Sequence, residues 1–250
     1  MQVFVINLDR DRERLEHMRR QLQGVPFVRV AAVDGTKTPE TASGLTRFEI
    51  ACLESHRDAW RRFLAAGDAH ACFLEDDLHL WPGFAALAAD PSWIPADAHT
   101  VKLDTYLQKV KLGERRPAIG DRAVARLYSR HESSAAYLLS RAGAERYLQL
   151  TERPTLPADY AIFRKDARRV GLVIYQLVPA VAIQDHLKPA SEGGKTIATA
   201  MTGGAPRRRR SRLGKILHEG ARLVEQASEA REAIALAATV KPTTTIVGVG

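Results

Sequence analysis

The first thirty residues constrain the fold more than any other stretch of the chain. Val3-Phe-Val-Ile6 is an apolar run too short for a helix, so it reads as a buried strand, and Asn7-Leu8-Asp9 ends it. Residues 11–23 are charged but set Leu15, Met18 and Leu22 at helical spacing, and residues 26–30 return as a second strand. Strand, helix, strand in so short a space is a βαβ unit, and such units build parallel sheets covered by helices.

The alternation continues. Residues 35–44, rich in Thr, Pro and Ser, read as a loop. Thr46-Arg-Phe-Glu49 is a capping box, and the helix it opens runs to about Ala66 with Ile50, Leu53, Trp60, Phe63 and Leu64 as its apolar share. Residues 71–74 form a third strand that ends in Glu75-Asp76-Asp77. Residues 100–103, 123–128, 135–139 and 172–178 are further strands, the last closed by Pro179. Helices are expected over 141–150 and 160–165. The fold class expected is α/β, with an open, mixed, mostly parallel sheet flanked by helices over residues 1–186. Ligands in such sheets collect beyond the carboxyl ends of the strands, where Asn7, the Glu75–Asp77 triplet and Asp104 all fall.

Composition bounds the class. A chain of 250 residues with 45% apolar and 26% charged residues is a soluble globular protein with room for one α/β domain and an appendage. No stretch approaches the roughly 20 apolar residues of a membrane span. The N-terminus lacks a basic n-region and cleavage site, so a cytoplasmic chain is expected. Cys52 and Cys72 form no metal-ligand spacing in the sequence and read as buried thiols. The net charge of +8 is uneven: nine Lys/Arg against four Asp/Glu from Ala205 onward give +5, leaving +3 for residues 1–204.

Three adjacent carboxylates at a strand end repel one another and raise one another's pKa. A divalent cation removes that repulsion, and Mg²⁺ or Mn²⁺ prefers hard oxygen ligands beside substrate phosphates. In extended geometry Glu75 and Asp77 point to one side and Asp76 to the other. The plainer alternative is a solvated strand end or a helix cap. His56, beside Ser55 on the capped helix, can donate to a substrate hydroxyl or phosphate, or be a structural histidine. Asn7, Arg12 and Arg14 can meet a nucleotide near the first strand, or the arginines can simply be solvated.

Together these residues carry a resemblance. Val3-Phe-Val-Ile-Asn-Leu-Asp-Arg10 followed by Arg12 and Arg14, then Ala31-Ala-Val-Asp-Gly35, resembles the opening of glycosyltransferase family 25. Leu45-Thr-Arg-Phe-Glu-Ile-Ala-Cys-Leu-Glu-Ser-His56 is similar to its "L-T-x-x-E-x-G-C-x-x-S-H" block, and Phe73-Leu-Glu-Asp-Asp77 to its "L-E-D-D" motif. Val101-Lys-Leu103, Ser134-Ala-Ala-Tyr137 with Ser140-Arg-Ala-Gly-Ala144, and Pro157-Ala-Asp159 follow in the family's order. Ala51 and Arg47-Phe48 depart from the family's usual Gly and Pro-Gly.

The resemblance implies a GT-A-like fold, a nucleotide-sugar donor such as UDP-galactose, a Mn²⁺ or Mg²⁺ cofactor, and a glycan or lipid-linked acceptor of lipopolysaccharide or lipooligosaccharide type. By position it makes Asp77, Glu75 and Asp76 the metal and donor-phosphate cluster, with Asn7, Leu8, Arg12 and Lys102 on the donor and Ser55 and His56 on the acceptor side. It favours inversion, which requires a carboxylate base. Asp159 leads, with Glu132 and Asp104 competing; Asp159 also fits as a cap of the next helix. His131 and Gln184 are further polar candidates for sugar contact. A nucleotidyltransferase would use the same carboxylates but release pyrophosphate, and a silent glycan-assembly protein would release nothing.

Residues 187–210 contain Pro189, Gly193-Gly194 and Gly203-Gly204 and read as a linker or mobile loop. It ends in the basic run Arg207–Arg210, and residues 211–250 read as a basic amphipathic helix and tail. Three partners suit residues 207–238: the anionic inner face of the cytoplasmic membrane, the domain itself or a second subunit in a homodimer, and, least, nucleic acid.

Overall fold

The computed structural model describes residues 1–40, 44–194, 197 and 242–250. The expected opening unit is present. β1 (Gln2–Asn7) is followed by α1 (Arg12–Gln21) and by β2 (Val28–Ala31), which pairs parallel to β1 with Phe4 opposite Val28. The chain then crosses back through α2 (Arg47–Ala66). That helix starts at the capping box: the Thr46 hydroxyl accepts the Glu49 N–H at 3.2 Å, and the Glu49 carboxylate accepts the Thr46 N–H at 2.7 Å. β3 (His70–Glu75) pairs parallel to β1 on the side away from β2. The strand order therefore reverses at β1, and a crevice opens between the carboxyl ends of β1 and β3.

The rest of the chain extends this sheet. In order come β4 (Leu78–Leu80), α3 (Phe84–Ala89), β5 (Thr100–Lys102), β6 (Lys109–Pro117), β7 (Ala123–Leu127), β8 (Ala136–Ser140), α4 (Arg141–Leu150), α5 (Ala158–Ile162), β9 (Ile174–Val178), β10 (Ala182–Gln184) and β11 (Thr243–Ile246). Nine strands lie in the order β11-β6-β7-β9-β5-β8-β3-β1-β2. Pairing directions make β1, β2, β3, β5, β6 and β9 run one way, with β7, β8 and β11 reversed. The sheet is thus open, mixed and mostly co-directional, as expected. β4 and β10 form a separate antiparallel pair, whose strands Leu78–Leu80 and Ala182–Gln184 carry the chain on from the ends of β3 and β9.

Side-chain alternation splits the core in two. Phe4 and Ile6 of β1, Ala71 and Phe73 of β3, and Tyr137 and Leu139 of β8 join Leu53, Trp60 and Phe63 of α2 on one face. Val3, Val5, Cys72, Leu74, Ala136 and Leu138 join Met18 of α1 and Phe84 and Leu87 of α3 on the other. Burial on both faces is why the central strands read as unbroken apolar runs.

Several elements escape the sequence pattern. β6 carries Lys109, Lys111, Glu114, Arg115 and Arg116 on exposed positions and is broken by a register shift between Leu112 and Arg115. α5 starts at Ala158, earlier than expected, because Pro157 is its cap. β11, from the segment read as tail, pairs antiparallel with β6. The basic run Arg207–Arg210 and the amphipathic stretch at 211–238 lie outside the described residues. No helix among the described residues is long and apolar enough to cross a membrane.

Gly143 tests the packing of α4 on the sheet. A Cβ there would lie 2.2 Å from the His99 carbonyl oxygen, which is backbone and cannot rotate away. Ala gains about 1 kcal/mol over Gly in a helix, while overpacking costs about 1–3 kcal/mol. The net loss of up to about 2 kcal/mol should lower the thermal midpoint of Gly143→Ala by up to about 8 °C, on a scale of about 2–4 °C per kcal/mol for this chain length. A raised midpoint in calorimetry would refute the close contact.

Candidate active site

A cleft of about 570 Å³ lies over the crevice between β1 and β3. Its floor is the end of β3. Asn7, Leu8, Arg10 and Arg14 line it from the β1–α1 connection, and Val33, Gly35, Phe48, Ala51, Cys52, Ser55 and His56 from the β2 turn and α2. Glu132, Ser133, Ser134 and Asp159 line it from the loops after β7 and α4, and Gln184 and His186 from β10 onward.

The three carboxylates point apart, although β3 stops at Glu75 and Asp76-Asp77 form the turn into β4 rather than the extended chain expected. Asp76 turns to α1: its Oδ1 accepts Arg14 Nη2 at 2.7 Å and its Oδ2 accepts Asn7 Nδ2 at 2.6 Å. Glu75 Oε2 and Asp77 Oδ1 share the Gln184 Nε2, 3.4 Å from each, so these two face a common space. Arg14 Nη2 also lies 3.0 Å from Asp77 Oδ2. One guanidinium thus answers two aspartates, and the third carboxylate depends on other donors.

Those donors come from a buried aromatic stack. Trp60 Nε1 donates to the Tyr137 hydroxyl at 2.8 Å, and the same oxygen lies 2.8 Å from His56 Nδ1. The indole N–H donates to that hydroxyl, and the other ring nitrogen of His56, Nε2, faces Glu75 Oε1, 3.3 Å away. The Ser134 hydroxyl donates to the same oxygen at 3.0 Å.

Burial governs the protonation of this floor. It pushes the Asp76 carboxyl up to about 7 against the pull of Arg14 and Asn7. Burial and then the Glu75 charge push Asp77 up as well. Burial also works on Glu75, but the bonds and charge of His56, with Ser134 and Arg14, outweigh it and hold that carboxyl below its usual range.

The structure sorts the residues expected from sequence. Asn7, Leu8, Glu75, Asp76, Asp77, Ser55, His56, Glu132 and Asp159 all meet in the cleft. Ser55 is committed internally: it donates to the Ala51 carbonyl at 2.7 Å and accepts the Val33 N–H at 2.8 Å, tying the β2 turn to α2. Three expectations are corrected. Arg12 is exposed on α1 and does not line the cleft; Arg14, one helical step inward, reaches the carboxylates. Lys102 and Asp104 are fully buried beneath the cleft rather than in it, because this stretch of chain is covered on both faces. Their side chains pair at 2.7 Å; Lys102 Nζ also donates to the Ser133 carbonyl and sits 4.2 Å over the Phe163 ring. Asp104 Oδ2 accepts the Ser133 hydroxyl at 2.5 Å, which leaves it no access to a substrate.

Asp159 occupies the first turn of α5, not its cap, and its Oδ1 accepts the Tyr160 N–H at 2.9 Å. Burial raises its carboxyl against the backbone bonds of Tyr160 and Ser133. Glu132 is half-buried and has no hydrogen bond or ion pair with another described residue. His131 turns away from the cleft: its Nε2 accepts the Tyr106 N–H at 3.1 Å, so its Nδ1–H donates to Gln176 Oε1 at 2.7 Å. Sequence reading missed His186 and Tyr106, which line the cleft from segments without a periodic signal.

A third grouping was invisible as a spacing. Cys52 and His56 stand four apart on one face of α2, and ligand atoms of Cys52, His56 and Glu75 lie within 4.8 Å of one another.

The model of glycosyltransferase family 25 (LPS biosynthesis protein) matches residues 1–162. No curated protein matches the chain. A glycosyltransferase involved in glycosylation of the major capsid of PBCV-1 is 7% identical with a TM-score of 0.39, covering 68% of this chain and 76% of that one. The inositol-1-phosphate CTP transferase from T. maritima is 10% identical with a TM-score of 0.41, covering 79% of each chain. A Drosophila β-1,4-galactosyltransferase 7 variant in complex with manganese, UDP-Gal and xylobiose is 12% identical with a TM-score of 0.37, covering 84% of this chain and 80% of that one.

His131 supplies a check on the wall behind the cleft. Burial, helped by the Lys102 charge, pulls its pKa from 6.5 to about 3. A depressed base protonates first in the unfolded chain, so its contribution to stability is complete above pH 6.5 and is lost as pH falls toward 3. Urea titrations at pH 7 and pH 5 should show His131→Asn gaining stability relative to the unmodified chain at pH 5, because the raised Asp76 carboxyl, which acts in the opposite direction, is common to both. An equal pH dependence in that variant would contradict the neutral buried imidazole.

Proposed function

The chain belongs to glycosyltransferase family 25, and we propose that it moves a sugar, galactose by preference, from a nucleotide-sugar donor to a hydroxyl of a lipopolysaccharide or lipooligosaccharide acceptor with inversion. The observation that carries this reading is the separation of carboxylates in one cleft. Three lie on the floor, two of them paired with Arg14, while Glu132 and Asp159 stand on a different wall.

The floor fits a hard cation. Its donor set is oxygen only, one arginine pairs with two of its three carboxylates, and among the described residues Glu75 Oε2 and Asp77 Oδ1 are held by nothing closer than a shared amide at 3.4 Å. Those two oxygens would take Mn²⁺ or Mg²⁺ in exchange for the Gln184 amide. When bound, the cation supplies Lewis-acid neutralisation of the departing nucleoside diphosphate. Asp76 stays with Arg14 and Asn7 and fixes the turn. Asn7, Leu8 and Arg10 line the part of the cleft beside β1, where the nucleotide sits, and Arg14 answers the negative charge of its phosphates.

In the transfer the acceptor oxygen bonds to the anomeric carbon as the bond from that carbon to the donor phosphate oxygen breaks. The acceptor proton leaves to Asp159. Burial raises its carboxyl above the usual carboxylate range, which strengthens its hold on the acceptor proton. The Asp159 carboxylate is oriented by the Tyr160 N–H that it accepts.

A screen of nucleotide sugars with Mn²⁺ tests the class: release of a nucleoside diphosphate supports transfer, and pyrophosphate would mark a nucleotidyltransferase instead. Asp77→Asn should abolish transfer with the fold intact by circular dichroism; undiminished turnover would remove the cation from Asp77. Asp159→Asn should lower kcat by about 10²–10⁴-fold with little change in donor affinity. An unchanged kcat would pass the role to Glu132, tested alongside as Glu132→Gln.

A lipid-linked acceptor also gives the basic run Arg207–Arg210 a purpose on an anionic membrane surface, where each cation contributes about 1 kcal/mol. Replacing those four arginines by serine in the full chain should reduce sedimentation with anionic vesicles. Equal sedimentation would reject the membrane contact.

A further inference from the structure

We propose that Cys52, His56 and Glu75 form a second cation seat in the cleft, selective for a thiophilic divalent ion such as Zn²⁺ and separate from the oxygen seat at Asp77. The three ligand atoms already lie within 4.8 Å of one another. Two come from a rigid helix at i and i+4, and the third from the end of the adjacent strand. Zinc accepts sulfur at about 2.3 Å and nitrogen or oxygen at about 2.0–2.2 Å in a tetrahedron. Two such N/O ligands are then about 3.3–3.5 Å apart, and His56 Nε2 and Glu75 Oε1 are 3.3 Å apart. That separation is long for a charge-assisted hydrogen bond, which settles at about 2.7–2.9 Å.

The surroundings match those of a metal-bound histidine. Such a ring presents its second nitrogen to a fixed hydrogen-bond partner, and His56 Nδ1 faces the buried Tyr137 hydroxyl, itself held by Trp60. Ser134 orients the Glu75 carboxylate on the same oxygen. All three ligands line the cleft, so the fourth position opens to solvent. Binding leaves the imidazole with its proton on Nδ1, donating to the Tyr137 oxygen while the hydroxyl proton turns away, and releases the Cys52 thiol proton to water. Glu75 stands between the two seats, with Oε1 toward His56 and Oε2 toward Asp77. A soft ion on Oε1 therefore obstructs the donor cleft. That consequence rests on the proposed sugar transfer; the seat itself does not.

Co²⁺ replaces Zn²⁺ with a visible spectrum, so titration of the full chain with Co²⁺ reads the seat without reference to activity. One equivalent should produce a thiolate-to-cobalt charge-transfer band that Zn²⁺ abolishes. Cys52→Ser should lose the band, Asp77→Asn should retain it, and Tyr137→Phe should weaken binding by about 10–100-fold. Where a variant fails to fold, alkylation of the unmodified protein decides: Zn²⁺ should slow labelling of Cys52, read by mass spectrometry, and leave Cys72, buried on the other face of the sheet, unaffected. Absence of the band, or labelling of Cys52 at the same rate with and without Zn²⁺, would overturn the seat. If the band forms while sugar transfer continues undiminished in Zn²⁺, the obstruction is overturned.

Discussion

Glu75, Asp76 and Asp77 leave β3 as consecutive residues, and the site depends on how their charge is met by donors that distant parts of the chain deliver. Arg14 comes from α1, Asn7 from β1, His56 from α2 and Gln184 from β10. α1 and α2 pack on opposite faces of the sheet, so only the reversal of strand order at β1 lets both reach one point. Parallel β1, β2 and β3 are thus the condition for the cluster, not a frame to which it is attached. The raised carboxyls of Asp76 and Asp77 record that one guanidinium and several neutral dipoles do not fully compensate three buried acids.

Beneath the floor, Lys102 and Asp104 do a different job. Burial pulls the lysine down and pushes the aspartate up, and each opposes the other's shift. A buried pair of this kind contributes little net stability, but losing one partner costs about 3–5 kcal/mol because the other is stranded. Its value here is positional. Lys102 holds the Ser133 carbonyl, Asp104 holds the Ser133 hydroxyl, and Ser133 sits at a positive φ of 76° that few residues adopt unforced. The pair fixes the loop that sets Glu132 and Ser134 into the cleft.

The first half of the chain was largely legible. Apolar runs, the capping box at Thr46 and strand-end polar residues each have a local cause, and they placed β1, α2, β3 and the acidic cluster. What failed was depth. Arg12 and Arg14 are equivalent as residue types, and only the phase of α1 turns Arg14 inward. Lys102 and Asp104 looked like cleft residues because they sit at a strand end, but the chain there is covered on both faces and both are buried. β4, β6, β10 and β11 are short or charged and gain their strand character from pairing, which no window of sequence contains. The Cys52–His56 pair was overlooked because its spacing means something only on a helix whose exposed face is known.

The same depth separates the candidate bases. Asp104, sealed and already bonded to Lys102 and Ser133, can neither meet an acceptor nor exchange its proton. Glu132 is reachable but has no described partner to orient it, so its carboxylate would lose side-chain freedom on every binding event. Asp159 lies between these extremes. The Tyr160 N–H fixes it, yet burial leaves its affinity for a proton above that of a free carboxyl. Orientation without neutralisation by a cation is what proton abstraction from a hydroxyl requires, and of the three carboxylates only Asp159 combines both with a place in the cleft.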